Sequence, residues 1–198
     1  GESLSDTMVR GCHANCRSAL EKAVQEGLIR VNPAVGCKLP PKKAREMQVL
    51  TREEIQRFLI QAKAEGYFEL FLLELTTGLR QGELLALQWD DLNLETGELK
   101  ITKQVYRTKE DGLLISQPKT KSSIRTVSLP PPLLAILKEY KEGVNSRWMF
   151  PSPVKEGSPL DPAHIRTRLH LILEHAQCKQ IRFHDLRHTF ATIALGNG

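Results

Sequence analysis

The spacing of apolar residues changes twice along this chain, and that change limits the folds available to it more than any other feature. Residues 51–88 repeat apolar side chains at intervals of three and four, which is typical of amphipathic helices. Between 99 and 105 the interval falls to two, and the runs 113–116 and 124–129 continue the alternation expected of strands. Helical spacing returns after residue 132. The pattern predicts an α+β fold, mainly helical, with a small three-stranded antiparallel sheet in the middle.

Residue types at the ends of these runs indicate where the elements begin. Thr51 and Glu54 have the spacing of a capping box, in which each side chain binds the other residue's backbone N–H. Asp161 can cap a helix that starts with Pro162, and Asp111-Gly112 is a hairpin-turn signal. The predicted helices cover residues 5–27, 67–77, 80–88, 132–140 and 161–176, with two more beginning at residue 51 and near residue 184.

A basic, proline-rich stretch separates the first helix from the rest of the chain. Residues 30–48 hold three prolines, five basic residues and one acid, a composition typical of a solvated linker. One or two helices alone bury too little surface to fold, so we expect residues 1–29 to be part of a larger helical domain. Residues 49–198 then form the second domain. Whether the basic stretch also lies along a nucleic acid backbone is left open by composition.

The overall charge and the cysteine usage narrow the class of protein. A net charge of +5 and a pI of about 9.1 fit a polyanionic partner without proving one. No apolar run approaches the ~20 residues that span a bilayer, and no signal peptide is visible. The four cysteines are scattered, without paired C-x-x-C motifs. We therefore expect a cytoplasmic protein with reduced thiols and no membrane partner.

Three stretches carry residues that could perform chemistry, and each also has a purely structural interpretation. Arg80 follows Gly78 at the start of a helix, where a cation is unfavourable unless Glu83 holds it. Taken alone, this is a surface ion pair. The segment 118–125 carries three cations between two strands, as either a solvated turn or a mobile hairpin whose lysine donates a proton.

The third stretch reads HDLRHTF and invites two interpretations. His184 and Arg187 are three residues apart, so both can face one anion from the same side of a helix. His184 and His188 have the four-residue spacing of two zinc ligands. The zinc interpretation lacks a convincing third ligand, and the guanidinium of Arg187 repels a cation. We expect no metal, and we interpret His188 as a structural residue.

The order of the three stretches is more specific than any one of them. TGLRQGELLALQW, then QPKTKSSIRTVSLP, then HDLRHTFAT together resemble the tyrosine recombinases, the phage-integrase-like site-specific recombinases. The finer likeness is to integrases of phages and of integrative conjugative elements. The resemblance covers almost the whole chain, because residues 5–34 look like the end of that family's core-binding domain. It implies that residues 49–198 form a catalytic domain of this family.

The resemblance implies phosphodiester strand exchange on DNA through a 3′-phosphotyrosyl intermediate, with no cofactor. Two arginines would stabilise the negative charge of the transition state, a histidine would donate to an oxygen or handle the nucleophile's proton, and a lysine would protonate the leaving oxygen. The matching positions are Arg80, the supporting acid Glu83, the hairpin lysine Lys119 with Lys121 as alternative, His184 and Arg187.

The nucleophile is where the chain departs from the family pattern. The family's tyrosine follows the H-x-x-R box, whereas Tyr67, Tyr106 and Tyr140 all precede it. We therefore expect no nucleophile in this chain, and we expect a fragment that lacks both ends of the protein and binds DNA without cleaving it. The alternative is a non-catalytic DNA-binding module or regulator derived from an integrase.

The expected partner is double-stranded DNA carrying recombination sites, bound in the cytoplasm at the nucleoid. Family members act as tetramers on two DNA sites, so the resemblance also implies self-association of the full-length protein and a possible accessory directionality factor. Basic side chains give affinity and salt dependence through phosphates, without choosing a sequence. The candidates for these contacts are Lys38, Lys42, Lys43, Arg45, Lys121 and Arg125.

Overall fold

The structure, a computed structural model of the chain, describes residues 4–41, 48–117 and 124–196. It divides into two compact units, Gly1–Glu46 and Met47–Gly198. Within these described ranges, the first unit holds one helix and the second holds the other elements. In chain order these are α1 (Asp6–Gln25), α2 (Arg52–Ala64), α3 (Phe68–Thr77), α4 (Gln81–Leu85), a 3-10 turn (Trp89–Asp91), β1 (Glu98–Ile101), β2 (Gln104–Thr108), β3 (Gly112–Ser116), β4 (Arg125–Ser128), α5 (Pro131–Glu142), α6 (Pro162–His175) and α7 (Phe183–Gly196).

In the first unit, the segment that follows α1 is bound to that helix by polar contacts. The Arg10 guanidinium donates to the carbonyl of Pro40 at 2.5 Å, and the His13 ring bonds the carbonyl of Ala34 at 3.0 Å. Ala34 is buried, while no described residue of α1 itself is buried. Residues 30–41 of the basic stretch therefore lie along α1, and most of their side chains are exposed.

In the second unit, a mainly helical fold with small antiparallel sheets confirms the predicted fold class. The predicted helix starts are also confirmed, because Thr51 and Glu54 form their capping box and Asp161 caps α6 through the N–H of Ala163. The core surrounds α3, where Phe71 packs edge-on against Phe58 of α2 with ring centroids 4.9 Å apart. Helix α3 also packs against α5 and α7, so half of its residues are buried.

The described strands form two two-stranded ladders rather than one three-stranded sheet. Strand β1 pairs with β4, and β2 pairs with β3 through the predicted Asp111-Gly112 hairpin. The predicted strand 99–105 is broken at Lys103, whose ammonium binds the side chains of Gln88 at 2.8 Å and Asp91 at 2.9 Å. This anchor to the 3-10 turn redirects the chain, so the two halves of the run meet different partners.

Helix α4 is shorter than the sequence predicted. The periodicity indicated a helix over residues 80–88, but α4 ends at Leu85. Beyond it, the carbonyl of Leu87 accepts from the N–H of Met149, and the N–H of Trp89 donates to the carbonyl of Arg147. These long-range bonds replace helical ones, because residues 86–89 meet a strand-like segment from far along the chain.

Two glycines allow the close approaches that surround the start of α4. Gly78 ends α3 with a φ of 58°, and a Cβ there would lie 2.5 Å from the ring of Phe190 in α7. Gly82, inside α4, lies so near β2 that a Cβ would be 2.5 Å from the carbonyl oxygen of Val105. The segment carrying Arg80 is therefore enclosed between α7 on one side and β2 on the other.

No helix in the described ranges is long and apolar enough to cross a bilayer. The four cysteines all lie in described segments, and each is a free thiol.

Candidate active site

Arg80 is held by Glu83 at the start of α4, as its position in the sequence predicted. The Arg80 backbone N–H donates to Glu83 Oε2 at 3.0 Å, and its guanidinium Nη1 donates to Oε1 at 2.8 Å. The Arg80 side chain is 59% exposed, whereas that of Glu83 is only 3% exposed. The carboxylate thus fixes the cation from the protein side, and the guanidinium reaches solvent.

Arg125 joins the same carboxylate from the first position of β4. Its two terminal nitrogens donate to Glu83, Nη2 to Oε2 at 2.8 Å and Nη1 to Oε1 at 3.2 Å. The sequence predicted Arg125 only as a contact for DNA phosphates, and this pairing with Glu83 was not predicted. The alternation of β4 carried a signal, because Arg125 and Val127 are partly buried while Thr126 and Ser128 are exposed.

The ionisation of Glu83 follows from these two guanidinium groups. Burial by itself raises the pKa of the Glu83 carboxyl, but hydrogen bonds from Arg125 and Arg80 outweigh it and lower the pKa to about 2. The carboxylate is therefore ionised at any physiological pH. Because one negative charge meets two positive ones, the cluster keeps a net charge of +1, which suits an anionic ligand.

Helix α7 carries the second predicted pair, His184 and Arg187. Arg182 precedes the helix, and its N–H and guanidinium both donate to Asp185, at 2.9 and 2.7 Å, in the pattern that Arg80 and Glu83 also form. His184 is exposed and Arg187 is partly buried. The His188 ring meets the edge of His184 with centroids 4.8 Å apart. His184 is thus solvent-accessible, and its ring packs against that of His188.

Glu74, in the middle of α3, is a buried carboxyl that the sequence argument missed. It is fully buried, and neither of its oxygens has a hydrogen-bond partner among the described residues. Burial raises the pKa of Glu74 well above its ordinary value; Arg187 opposes this rise, and Glu83 adds to it. The signal in the sequence was the position of Glu74, the second of two acids in the run FELFLLELTT, with apolar residues on both sides of it.

Glu74 also connects the two predicted arginine boxes. The charge of Glu83, which binds Arg80, raises the pKa of Glu74, and the charge of Arg187 on α7 lowers it. The arginine at the start of α4 and the histidine–arginine pair of α7 therefore lie near one buried carboxyl, although about a hundred residues separate them in sequence. This proximity depends on the packing of α3 against α7.

One other predicted site residue lies within the described ranges. Lys38 is exposed in the first unit. No group of three His, Cys, Asp or Glu side chains suited to a metal ion occurs within residues 4–41, 48–117 and 124–196. The remaining predicted positions, which lie outside the described residues, are Lys42, Lys43, Arg45, Lys119 and Lys121.

Comparison with known proteins decides what this cluster belongs to. Residues 48–198 match the model of the phage integrase family, which is more than half of the chain. The chain belongs to the phage integrase family. The resemblance of its three sequence stretches to the tyrosine recombinases is thereby confirmed.

Curated relatives agree with the family assignment. A tyrosine recombinase XerC-like protein of Caldanaerobacter subterraneus subsp. tengcongensis is 35% identical over 218 residues, covering 96% of this chain and 56% of that protein. The ICEBs1 integrase of Bacillus subtilis is 28% identical, covering 98% of this chain and 56% of that protein. This integrase family member thus spans little more than half the length of these relatives.

Solved structures show the same fold at low sequence identity. The Tn1549 transposon integrase, in complex with a circular intermediate DNA, superposes with a TM-score of 0.83 at 21% identity, covering 99% of this chain and 69% of that one. A lambda integrase dimer bound to a COC' core site gives 0.65 at 18% identity, covering 93% and 65%. The catalytic-domain fold predicted from the sequence is confirmed.

Proposed function

We propose that this chain is the core of a site-specific DNA recombinase or integrase that exchanges phosphodiester strands through a 3′-phosphotyrosyl intermediate. The observation that carries the proposal is the cluster around Glu83, where one buried carboxylate orients two guanidinium groups and leaves Arg80 open to solvent. Preorganised cations of this kind are suited to the charge that develops on a phosphodiester's non-bridging oxygens. Family membership and the DNA-bound structures of similar integrases support the choice of substrate.

The roles of the side chains follow from their geometry and from the family pattern. Arg80 and Arg187 bind the non-bridging oxygens of the scissile phosphate, because guanidinium groups remain charged and offer paired donors. His184, exposed on α7, donates to an oxygen or accepts the nucleophile's proton. Arg125 acts beside Arg80 through Glu83, in addition to its proposed contact with DNA phosphates. Lys119, with Lys121 as the alternative, protonates the leaving 5′-oxygen.

None of the three tyrosines of the chain is proposed as the nucleophile. The Tyr67 hydroxyl is bonded to the His164 ring at 2.8 Å, and burial raises the pKa of Tyr140 to about 12. Tyr106 lies in β2 and is 42% exposed, but it precedes the H-x-x-R box that the family's nucleophile follows. We therefore propose that this chain alone binds DNA without cleaving it.

The domain arrangement and the partners are part of the same proposal. Residues 1–29 belong to the end of a core-binding domain, residues 30–48 link it to the catalytic domain, and Lys38 and its basic neighbours in the linker contact DNA phosphates. The full-length protein assembles as a tetramer on two recombination sites at the nucleoid, with an accessory directionality factor as a further partner. The DNA-bound lambda integrase dimer supports self-association on DNA.

The test is the formation of a covalent protein–DNA adduct. Duplexes retained by this chain from a random library are offered to the chain itself and to a version extended to the length of its relatives. We expect adduct only from the extended protein, and we expect Arg80→Ala to slow its formation by about 10²–10³-fold while DNA affinity changes little. Adduct from the 198-residue chain, abolished by one Tyr→Phe change, would show that one of its own tyrosines is the nucleophile.

The same experiment separates the enzyme from its alternative. An extended protein that carries a downstream tyrosine, binds the selected duplexes and still forms no adduct would be a non-catalytic DNA-binding module. In that case Arg80→Ala would lower DNA affinity, because binding would be the arginine's only role.

A further inference from the structure

Helix α3 carries a carboxyl that no step of the proposed chemistry uses. Glu74 is fully buried and lacks a hydrogen-bond partner among the described residues, which is a costly state for a carboxyl. On α7, the Nη1 atom of Arg187 is likewise buried and has no partner in the described part of the chain. A buried carboxyl and a buried guanidinium nitrogen, neither with a hydrogen-bond partner among the described residues, therefore lie on two helices that pack against each other.

The packing of the two helices brings the relevant faces together. Gly78 lies one helical turn after Glu74, so both occupy the same side of α3. Phe190 lies one turn after Arg187 on α7, and its ring is in close contact with Gly78. The glycine–phenylalanine contact therefore holds the Glu74 face of α3 against the Arg187 face of α7.

The charged groups that act on Glu74 come from two neighbouring elements. Arg187 on α7 favours its ionised form, and Glu83 on α4 disfavours it. Burial disfavours it further, so Glu74 keeps its proton at pH values where an exposed glutamate has lost it. While Glu74 is protonated, the charge of Arg187 is available to a ligand.

We propose that Glu74 is a positioning residue for Arg187, pairing with its guanidinium from the protein side in competition with a bound phosphate. An anion bound at Arg187 withdraws the cation's charge from Glu74, and the carboxylate then takes up one proton to become a neutral acid. Anion binding at this arginine is thereby coupled to proton uptake. The inference rests on the proposed function, because it assigns Arg187 to the phosphate.

The first test needs no ligand. In the ¹⁵N-labelled chain, the side-chain Nε–H signal of Arg187, assigned with Arg187→Lys, is followed against pH. We expect a titration with a midpoint above 4.5 that disappears in Glu74→Gln and persists in Glu69→Gln, a matched change on the same helix. An Arg187 signal that titrates identically in Glu74→Gln, or shows no carboxyl titration in the unchanged chain, overturns the pairing.

The second test uses sulfate, which carries two charges throughout the relevant pH range. We expect sulfate to bind about tenfold more weakly above the Glu74 midpoint than below it, which corresponds to a one-unit change in the pKa of Glu74 on binding. Glu69→Gln keeps this pH profile, whereas Glu74→Gln loses it. The histidines contribute equally to both proteins, so the difference between the profiles isolates Glu74. Identical profiles for Glu74→Gln and the unchanged chain overturn the coupling.

Two further outcomes keep this inference separate from the proposed function. Sulfate that leaves the Arg187 signal unmoved in every variant counts against Arg187 as a phosphate ligand, while the ligand-free titration still decides the pairing. If Glu74→Gln does not fold, direct ¹³C titration of the Glu74 carboxyl in the unchanged chain replaces it. A midpoint that does not rise when sulfate is added overturns the coupling.

Discussion

Two buried glutamates, whose pKa values are shifted in opposite directions, influence the charge of the candidate site. Glu83 is ionised because Arg80 and Arg125 both donate to it, and it compensates one of their two charges. Burial raises the pKa of Glu74 well above its ordinary value, against the opposing influence of Arg187. When Glu74 is protonated, the three arginines keep a net charge of about +2 where a phosphate is proposed to bind. Local geometry, rather than the overall charge of the chain, produces this concentration of positive charge.

The pairing of Glu83 makes stability depend on acid pH. A group whose pKa is lowered on folding stabilises the protein above its unfolded pKa and loses that contribution as pH falls through the folded value. For Glu83 the window runs from about 4.5 down to about 2 and represents about 3 kcal/mol. We expect the free energy of unfolding to fall by this amount in acid, measured by urea unfolding, and this component to be absent in Glu83→Gln.

At neutral pH, Glu83→Gln leaves two guanidinium groups without their carboxylate. We expect a loss of about 2–3 kcal/mol, below the usual cost of breaking a fully buried pair because Arg80 is largely exposed. Glu98→Gln, an exposed position in β1, serves as the control and should change stability little. Equal losses in the two variants would contradict the role given to Glu83.

At the level of elements, α7 is attached to the start of the second unit through a buried hydroxyl. Thr189 Oγ1 accepts the backbone N–H of Leu50 at 3.2 Å and donates to the carbonyl of Asp185 at 3.1 Å. Both Leu50 and Thr189 are buried, so water cannot replace these bonds. The helix that carries His184 and Arg187 is thus fixed to the segment that leads into α2.

Removal of that hydroxyl tests the attachment. Thr189→Val keeps the shape of the side chain but leaves the Leu50 N–H buried without an acceptor, at a cost of about 1–3 kcal/mol in chemical unfolding. Thr192→Val, on the same helix, removes an exposed hydroxyl that bonds the carbonyl of His188. We expect the control to lose less than about 0.5 kcal/mol, and a loss as large as that of Thr189→Val would refute the attachment.

The contact between α4 and β2 should reverse the usual effect of a glycine-to-alanine change on stability. A glycine-to-alanine change inside a helix usually stabilises by up to about 1 kcal/mol. At Gly82 the added Cβ would lie 2.5 Å from the backbone oxygen of Val105, which cannot move without displacing β2. We expect Gly82→Ala to destabilise by about 2–3 kcal/mol in thermal or urea unfolding.

Gly143, after α5, provides the matched control for this change. Its φ is −89°, and the nearest atom to an added Cβ is the Tyr140 carbonyl oxygen at 3.7 Å. Gly143→Ala should therefore change stability by no more than about 0.5 kcal/mol. A neutral Gly82→Ala would mean that α4 and β2 are not held in this close approach.

At the scale of the whole molecule, two kinds of positive charge have separate proposed tasks. We propose that Arg80 and Arg187 bind one phosphate in a defined geometry, whereas the basic residues of 30–48 provide sequence-independent affinity. A net charge of +5 is consistent with both. The two tasks respond differently to salt, because each phosphate neutralised by an independent cation releases counterions.

The salt dependence of DNA binding measures the contribution of the basic linker. We expect a variant with Lys38, Lys42, Lys43 and Arg45 changed to alanine to lower the slope of log affinity against log salt by up to about 3–4. The control, Lys100→Ala with Lys138→Ala, removes two exposed cations of the second unit and should change the slope less per charge. An unchanged slope in the linker variant would remove these residues from the DNA interface.

Much of the fold was readable from local signals, and the exceptions share a cause. The capping box of α2, the cap of α6 and the Asp111-Gly112 hairpin were all predicted, because each depends on residues a few positions apart. The early end of α4 and the break at Lys103 were not predicted. In both cases the deciding hydrogen bonds come from distant segments, to Met149 in the first and to Asp91 in the second.

By itself, the sequence determined the order of the helices, the family to which the chain belongs, and the pairing of Arg80 with Glu83, because periodicity, motif order and three-residue spacing are local properties. Only the tertiary structure decided that Arg125 shares the carboxylate of Glu83 and that Glu74 lies buried near Arg187. These contacts join residues that are 42 to more than a hundred positions apart. Their existence and their ionisation depend on which helix and strand faces meet, and on how completely that packing removes the carboxyl groups from water.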